Sequence, residues 1–388
     1  MELSYQARST SFLSAMRVFV LGRFPPPLDG QSMATQRLAE LLDARHDVVR
    51  LNTEPPATGY IAAEVKFRPQ RVRHYLGLRG FLRRSLSAAP QAPVLWASIS
   101  PVPLGHWRDL AATAPAFRPG QPVYAVLHRA IFDRLFASPV TASTARRLAR
   151  RLDGFVFLNE ELSERCAPWL PPEKRIVIPN TIDEALVCTP AEVAAKQSER
   201  STRRSLRLLF LSNMMPEKGY ADVVRAVHLL RTRGHDVCAD FIGGWVTDED
   251  QRAFARLVEE NGLEEVVVHH GSVTDRARIK AFHLQADAFL LPSYHPTEAQ
   301  PISIIEALNA GTPVVTTRHG GMPYMVREDR EALFVPPRDP AAIAGAVERL
   351  ADDAYRQRLS EGARRRFEEH FGPDAVRRQW EALLERHA

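Results

Sequence analysis

The sequence predicts an α/β protein of two doubly wound domains facing a cleft, on three observations. Short runs rich in Val, Leu, Ile and Phe alternate with helical patterns, as in parallel sheets covered on both faces. The alternation runs twice, interrupted by a polar stretch. The 388 residues are also too many for one hydrophobic core and suit two.

The elements follow in order. MRVFVLG (Met16–Gly22) reads as a buried strand beginning directly after Met16, so residues 1–15 read as a disordered extension and Met16 as an alternative start. After the turn FPPPLDG comes the helical pattern SMATQRLAELLDARH and then the strand DVVRLN. PVLWAS, VYAVLH, GFVFLN and RIVIPN are further strands with helical segments between them, which gives a first domain over 16–188. TPAEVAAKQSERSTRRS (Thr189–Ser205) is polar, lacks β-branched runs and reads as the linker. A second domain over 206–372 starts again with the strand LRLLFLS and the helix KGYADVVRAVHLL. DVCADFIG, VVVHHG, ADAFLLPS and TPVVTT are its next strands, with the helix DEDQRAFARLVEENG between the first two.

Composition excludes several classes. Hydrophobic residues make up 45% and charged residues 25%, an ordinary soluble balance. The net charge of +5 agrees with anionic substrates or a membrane surface. Cys166, Cys188 and Cys238 are scattered, which argues against disulfides and a zinc site and fits a reducing cytoplasm. No apolar run is long enough to span a bilayer, and the first fifteen residues lack the apolar stretch of a secretory signal. No G-x-G-x-x-G fingerprint is present, which disfavours a nicotinamide enzyme.

The segment EAQPISIIEALNAGTPVV (Glu298–Val315) holds two carboxylates in an otherwise apolar run. Pro301 has no N–H and suits the first turn of a helix, while Gln300 before it is driven to extended geometry. A helix therefore starts near Pro301 and stops at Gly311, with Glu298 in the loop ahead and Glu306 in its second turn. The amides of Ile302 and Ser303 point out of the helix end, where the dipole also favours an anion. A diphosphate at that tip would place hydroxyl-bearing groups near both carboxylates, the shape of a nucleotide sugar. The plain alternative is a loop charge and a solvated helix face. Against it, Glu306 is flanked by Ile304, Ile305, Ala307 and Leu308, and a charge on a buried helix needs a partner.

These residues resemble the retaining glycosyltransferases of GT-B fold, family 4 (glycosyl transferases group 1), over most of positions 206–335. LLFLSNMMPEKGYADVVRAV is similar to that family's strand, loop and lysine-glycine helix start, the segment above to its E-x7-E motif, and HGGMPYMV to the glycine pair that follows. RVFVLGRFPPPLDGQSMATQRLAELL and RIVIPNTID resemble first-domain segments more loosely. PDAVRRQWEALLE, within 373–388, resembles the helix that crosses back to the first domain. The resemblance implies that Glu306 binds ribose hydroxyls, that Glu298 binds hydroxyls of the donor sugar, and that the amides after Gln300 hold the diphosphate. Lys218 would neutralise the leaving phosphate. As an exposed lysine at a helix start it would be poorly placed electrostatically. His128 ends a strand at the cleft edge, where the family's histidine contacts donor sugar or acceptor; a core histidine bonded to backbone is an equal reading. His269 and His270 read as structural.

Three positions depart from the family. Asn213 stands where an arginine is usual, leaving charge stabilisation to Lys218 or to another arginine such as Arg129. Asp29-Gly30-Gln31 replaces the usual two glycines of the first loop. There Gly30 either lets the backbone approach a phosphate or serves an ordinary turn. Tyr324 follows the glycine pair in place of a glutamate.

The implied chemistry is transfer of a sugar from a nucleotide diphosphate to an acceptor hydroxyl with retention, by front-face displacement. It needs no metal and no cofactor beyond the nucleotide sugar. The acceptor domain carries KFRPQRVRHYLGLRGFLRRSL, with Lys66, Arg68, Arg71, Arg73, Arg79, Arg83 and Arg84, inside an acid-free stretch from Val65 to Arg108. This basic amphipathic pattern reads either as an anionic-membrane anchor over 66–84 or as a surface helix packed on its own domain. No nucleic-acid module accompanies the charge. The reading is a glycosyltransferase acting on an envelope glycan or lipid-linked acceptor at the cytoplasmic membrane face. A nucleotide-sugar epimerase of the same fold and a catalytically silent nucleotide-sugar-binding protein are the alternatives.

Overall fold

The computed structural model describes residues 15–26, 30–53, 69–201 and 203–387. Residues 1–14, Asp29, Lys66 and Arg68 lie outside them. Two parallel six-stranded sheets form the frame. The first contains β1 (Arg17–Gly22), β2 (Asp47–Asn52), β3 (Val94–Trp96), β4 (Val123–Val126), β5 (Gly154–Phe157) and β6 (Arg175–Val177), ordered β2-β1-β3-β4-β5-β6. The second contains β7 (Leu206–Leu211), β8 (Val237–Ile242), β9 (Val267–His269), β10 (Ala288–Leu291), β11 (Val314–Thr317) and β12 (Ala332–Val335). Its order is β12-β11-β10-β7-β8-β9. This is the predicted architecture of two doubly wound sheets. β12 is an addition: ALFV is a four-residue run before two prolines, too short to stand out in the sequence.

Both sheets reverse strand order at a central strand. The first does so between β1 and β3, the second between β7 and β10. In such sheets the crevice at the carboxyl ends of those strands is the natural ligand site. The predicted active residues Lys218 and Glu298 follow β7 and β10, so the topology alone places both at that crevice.

Helices cover the sheets with apolar faces of helical spacing. The helix Gly30–Asp43 buries Ala34, Leu38, Leu41 and Leu42. The last helix, Pro373–Leu384, packs Val376, Trp380, Leu383 and Leu384 into the same cluster as Val18, Val20 and Leu38. The end of the chain thus completes the core of its beginning.

The stretch read as a linker is largely helical, over Pro190–Ser201. The signal is TPAE: the Thr189 hydroxyl accepts from the Glu192 amide at 3.2 Å while Glu192 accepts from the Thr189 amide at 2.7 Å. That reciprocal pair starts a helix, and Pro190 occupies its first turn. The helix and the residues after it are pinned to the second sheet's domain by Arg200 and Arg203, which reach Asp287 at 2.9 and 3.2 Å. The Lys196 ammonium donates to the carbonyls of His283 and Ala310 and to the Thr312 hydroxyl. Burial pushes it down to about 7.

The basic segment forms a helix over Pro69–Ser87. Its apolar side, Leu78, Leu82 and Leu86, is buried in the first domain's core. Of the two readings, packing on its own domain therefore accounts for that side. Arg73, Arg79, Arg83 and Arg84 remain exposed on the other, with Phe81 at 43% exposure. No helix among the described residues is long and apolar enough to cross a membrane.

Candidate active site between the two sheets

Pro301 caps the helix Ile302–Asn309 from outside, at φ −60° and ψ 118°. Glu306, in the second turn, is buried at 5% exposure. Its partners come from two directions. Arg37, on the helix Gly30–Asp43 of the first domain, places Nη2 3.0 Å from Oε1. His283 brings Nε2 to 3.6 Å from Oε2. Burial works against the charged carboxylate most strongly. The adjacent His283 ring and the Arg37 charge more than offset it and hold the carboxyl below its usual value.

Lys218 ends a short 3-10 turn after β7, and Gly219 turns the chain at φ +84°. Gly219 lies against Pro292: an added Cβ would sit 2.7 Å from the Pro292 carbonyl oxygen. This close approach brings the loops after β7 and β10 together. Across it Lys218 Nζ meets Glu298 Oε2 at 2.5 Å, and the Ser293 hydroxyl donates to the same oxygen at 2.9 Å. The glycine pair supports this carboxylate from below. Gly320 has φ +55°, and a methyl group on Gly320 or Gly321 would overlap the carbonyl of Glu298 or Ala299. The Gly321 amide donates to the Glu298 carbonyl at 3.2 Å. His319, just before the pair, bonds the His295 carbonyl through Nε2 at 2.9 Å. Burial lowers the pKa of His295, and the nearby Lys218 charge adds to the effect.

The Gln300 side chain does something else than its place in the motif suggested. Its Nε2 donates to the Leu158 carbonyl at 3.0 Å, and its Oε1 accepts from the Asn180 amide at 2.6 Å. Both partners belong to the first domain, so this side chain clasps the domains together. Only the backbone at the helix end, with Ile302 and Ser303 in its first turn, is left to face a ligand.

The remaining expected residues are distributed as follows. His128 lies just beyond β4, half-buried, in the wall of a hollow shared with Arg37, Leu158, Asn180, Thr181 and Trp380. That hollow is lined by the first domain and the last helix. Asn213 is exposed after β7. Gly30 is the first residue of its helix, and an added Cβ there would meet nothing within 4 Å. No close approach requires a glycine at that point. Arg129 is exposed, beside a hollow lined by Asp133 and Arg165 of its own domain. The arginine that reaches the motif is Arg37. His269 and His270 are held by the Gly243 carbonyl at 2.9 Å and by Asp240 at 2.5 Å, as a structural role requires. Among the described residues no cluster of three or more His, Cys, Asp or Glu side chains is arranged to hold a metal ion.

Sequence reasoning missed Arg37 and His283. Both sit in helices remote from the motif in sequence. Only the buried charge on Glu306 announced that partners had to exist.

Comparison with known proteins bears on this site. The model for glycosyl transferases group 1 matches residues 194–366. The matched stretch opens inside the helix Pro190–Ser201 and contains Lys218, Glu298 and Glu306. The chain is 29% identical over 62% of its length to the putative colanic acid biosynthesis glycosyltransferase WcaL of Escherichia coli K12. It spans little more than half of its curated relatives, 53% of the Salmonella typhimurium WcaL and 58% of the Escherichia coli one. Among solved structures, Anabaena HepE in complex with UDP and glucose superposes with a TM-score of 0.69 at 17% identity, covering 96% of this chain and 100% of that one. Sucrose-phosphate synthase from Thermosynechococcus elongatus gives 0.71 at 18% identity, covering 96% and 98%. These two show the fold, which is GT-B. The residues that match the group 1 family fall in its second half, and the seam described above is its interdomain cleft.

Proposed function

We propose that the protein is a retaining hexosyltransferase that moves a sugar from a nucleoside diphosphate to an acceptor hydroxyl. The observation that carries this reading is the pair of buried carboxylates set around one helix N-terminus with Lys218 beside them. The diphosphate sits at the amides of Ile302 and Ser303, where unsatisfied N–H groups and the helix dipole receive an anion. Glu306 takes the ribose hydroxyls and Glu298 those of the sugar. Lys218 moves from Glu298 toward the phosphate as negative charge grows there, and so stabilises the transition state more than the ground state. The bond from the anomeric carbon to the phosphate oxygen breaks as the acceptor oxygen forms its own bond on the same face. The acceptor proton passes to the departing phosphate. His128, from the opposite wall, orients the sugar or the acceptor.

The acceptor is a cell-envelope glycan or a lipid-linked precursor. The names of the relatives support this, since WcaL carries the description colanic acid biosynthesis and HepE was solved with UDP and glucose. The first domain supports docking on the cytoplasmic face of an anionic membrane. In the same domain as the outward arginines, Val102, Leu104 and Trp107 are exposed at 40%, 77% and 43%. Val102 caps, and the other two stand on, the short helix Pro103–Arg108, steadied by Asp109, which accepts from the Ser100 amide at 2.8 Å and pairs with Arg108 at 2.7 Å. Arg108 in turn lies over the Tyr75 ring of the basic helix.

The test is incubation with radiolabelled nucleotide sugars and a membrane extract. Label passing to lipid or glycan is the expected result, and anomeric configuration is then read by NMR of the product. Conversion of the donor sugar without transfer would make the protein an epimerase. Binding with neither outcome would make it a silent binding protein.

A further inference from the structure

Arg37 does not belong to the motif, yet it holds the motif's second carboxylate. The contact crosses the domain seam at 3.0 Å, with the arginine side chain 11% exposed and Glu306 7% exposed. Under the function proposed above, Glu306 is the group that receives ribose. One carboxylate oxygen cannot serve a guanidinium and a ribose diol in the same place. We propose that the Arg37–Glu306 pair is a latch that an incoming nucleoside diphosphate opens, its ribose hydroxyls displacing Arg37 from Glu306.

Three features fit an exchangeable contact better than a permanent one. Arg37 reaches Glu306 through Nη2 alone, while its Nε and Nη1 are buried with no partner among the described residues. Arginine–carboxylate pairs are frequently bidentate, through two N–H groups, and this one is not. Secondly, Glu306 keeps a second partner when Arg37 leaves, because His283 approaches the other oxygen at 3.6 Å. Thirdly, the rest of the seam does not depend on this pair. Gln300 clasps Leu158 and Asn180, and Arg276 reaches Asp183 at 2.5 Å and, less closely, Glu40 one turn beyond Arg37 at 3.8 Å. Releasing one contact would loosen the domains without separating them. The freed guanidinium stays in the cleft, where the diphosphate brings negative charge.

The test uses the full chain with Arg37→Gln and Arg37→Lys. Uridine, adenosine and guanosine diphosphates are titrated by calorimetry, and small-angle scattering is recorded without ligand. For whichever diphosphate the wild type binds, Arg37→Gln should bind about three- to tenfold tighter, because the competing partner is gone. Its unliganded radius of gyration should rise, and the wild type's should rise toward that value on ligand addition. Arg37→Lys keeps a competing charge and should bind within about twofold of wild type, which separates loss of the latch from damage to the helix. Weaker binding by a folded Arg37→Gln overturns the proposal, since Arg37 would then hold the ligand. Unchanged affinity and scattering overturn it as well. If the wild type binds none of the three diphosphates, the functional reading itself fails. An expanded unliganded Arg37→Gln would still show that the pair restrains the domains.

Discussion

Two helices carry most of the charge that drew attention in the sequence, and they use it in opposite ways. In Ile302–Asn309 the single carboxylate points inward and is paired across the domain seam. In Pro69–Ser87 Leu78, Leu82 and Leu86 point inward, and Arg73, Arg79, Arg83 and Arg84 face solvent. The buried charge has few possible explanations, because leaving it unpaired would cost several kcal/mol, so its presence predicts a partner or a ligand. Exposed charge carries little such penalty and fits many roles. Burial therefore makes the second domain's chemistry specific and leaves the first domain's surface open to several readings.

Substitutions in the two regions should separate along this line. Lys218→Ala strikes where charge develops, so turnover should fall by about 100- to 1000-fold while donor affinity changes far less. Steady-state transfer together with donor titration checks this, and equal losses in both would reduce Lys218 to a binding residue.

Glu306→Ala should weaken nucleotide binding by about 1.5–3 kcal/mol, as loss of a charged hydrogen-bonding partner does. It also strands Arg37 in the seam, so denaturant unfolding should show lower stability. The pH dependence has a definite sign. The folded-state pKa of Glu306 is lowered from 4.5, so its ionised form contributes stability above that value. That contribution is lost as pH falls below the unfolded value and through the folded one. Glu306→Gln should flatten this acid limb, and an unaltered limb would mean other carboxylates produce it.

Gln300→Ala removes two hydrogen bonds to first-domain backbone. Each contributes about 0.5–1.5 kcal/mol, so the effect on donor affinity should be only a few-fold. Scattering should report a looser interdomain arrangement. A large loss of nucleotide binding with unchanged domain arrangement would return Gln300 to the ligand site.

The smallest effect on the donor side is expected from Arg79→Gln, Arg83→Gln and Arg84→Gln combined. Nucleotide affinity should not change, whereas sedimentation with anionic vesicles should drop. The wild-type attraction should fade between 0.1 M and 1 M salt as the Debye length shrinks from about 10 Å to about 3 Å. Replacing Leu104 and Trp107 by Ser should remove whatever binding resists salt. Vesicle binding equal to wild type in both variants would remove this face from the membrane reading.

The order of elements was legible because strand and helix periods differ and the strands are short continuous apolar runs. β2 was read with its observed limits, Asp47–Asn52, while β3 is confined to Val94–Trp96 within the longer PVLWAS. The helix Pro190–Ser201 was overlooked although TPAE announces it, because polarity was weighed above capping. At the site, the helix limits, the position of Glu306 in its second turn and the turn before Gly219 all follow from local chemistry.

What the sequence determined alone, then, is whatever depends on neighbours in the chain: periodicity, caps, and proline and glycine at the motif's ends. Only the tertiary structure decided that Glu306 is met by Arg37 and that Gln300 binds backbone of the other domain. It likewise paired Lys218 with Glu298 and turned Arg73, Arg79, Arg83 and Arg84 outward. Those contacts join residues up to 269 positions apart. A side chain's pattern shows that it needs a partner, but which partner it meets depends on how two separately wound sheets are set against each other.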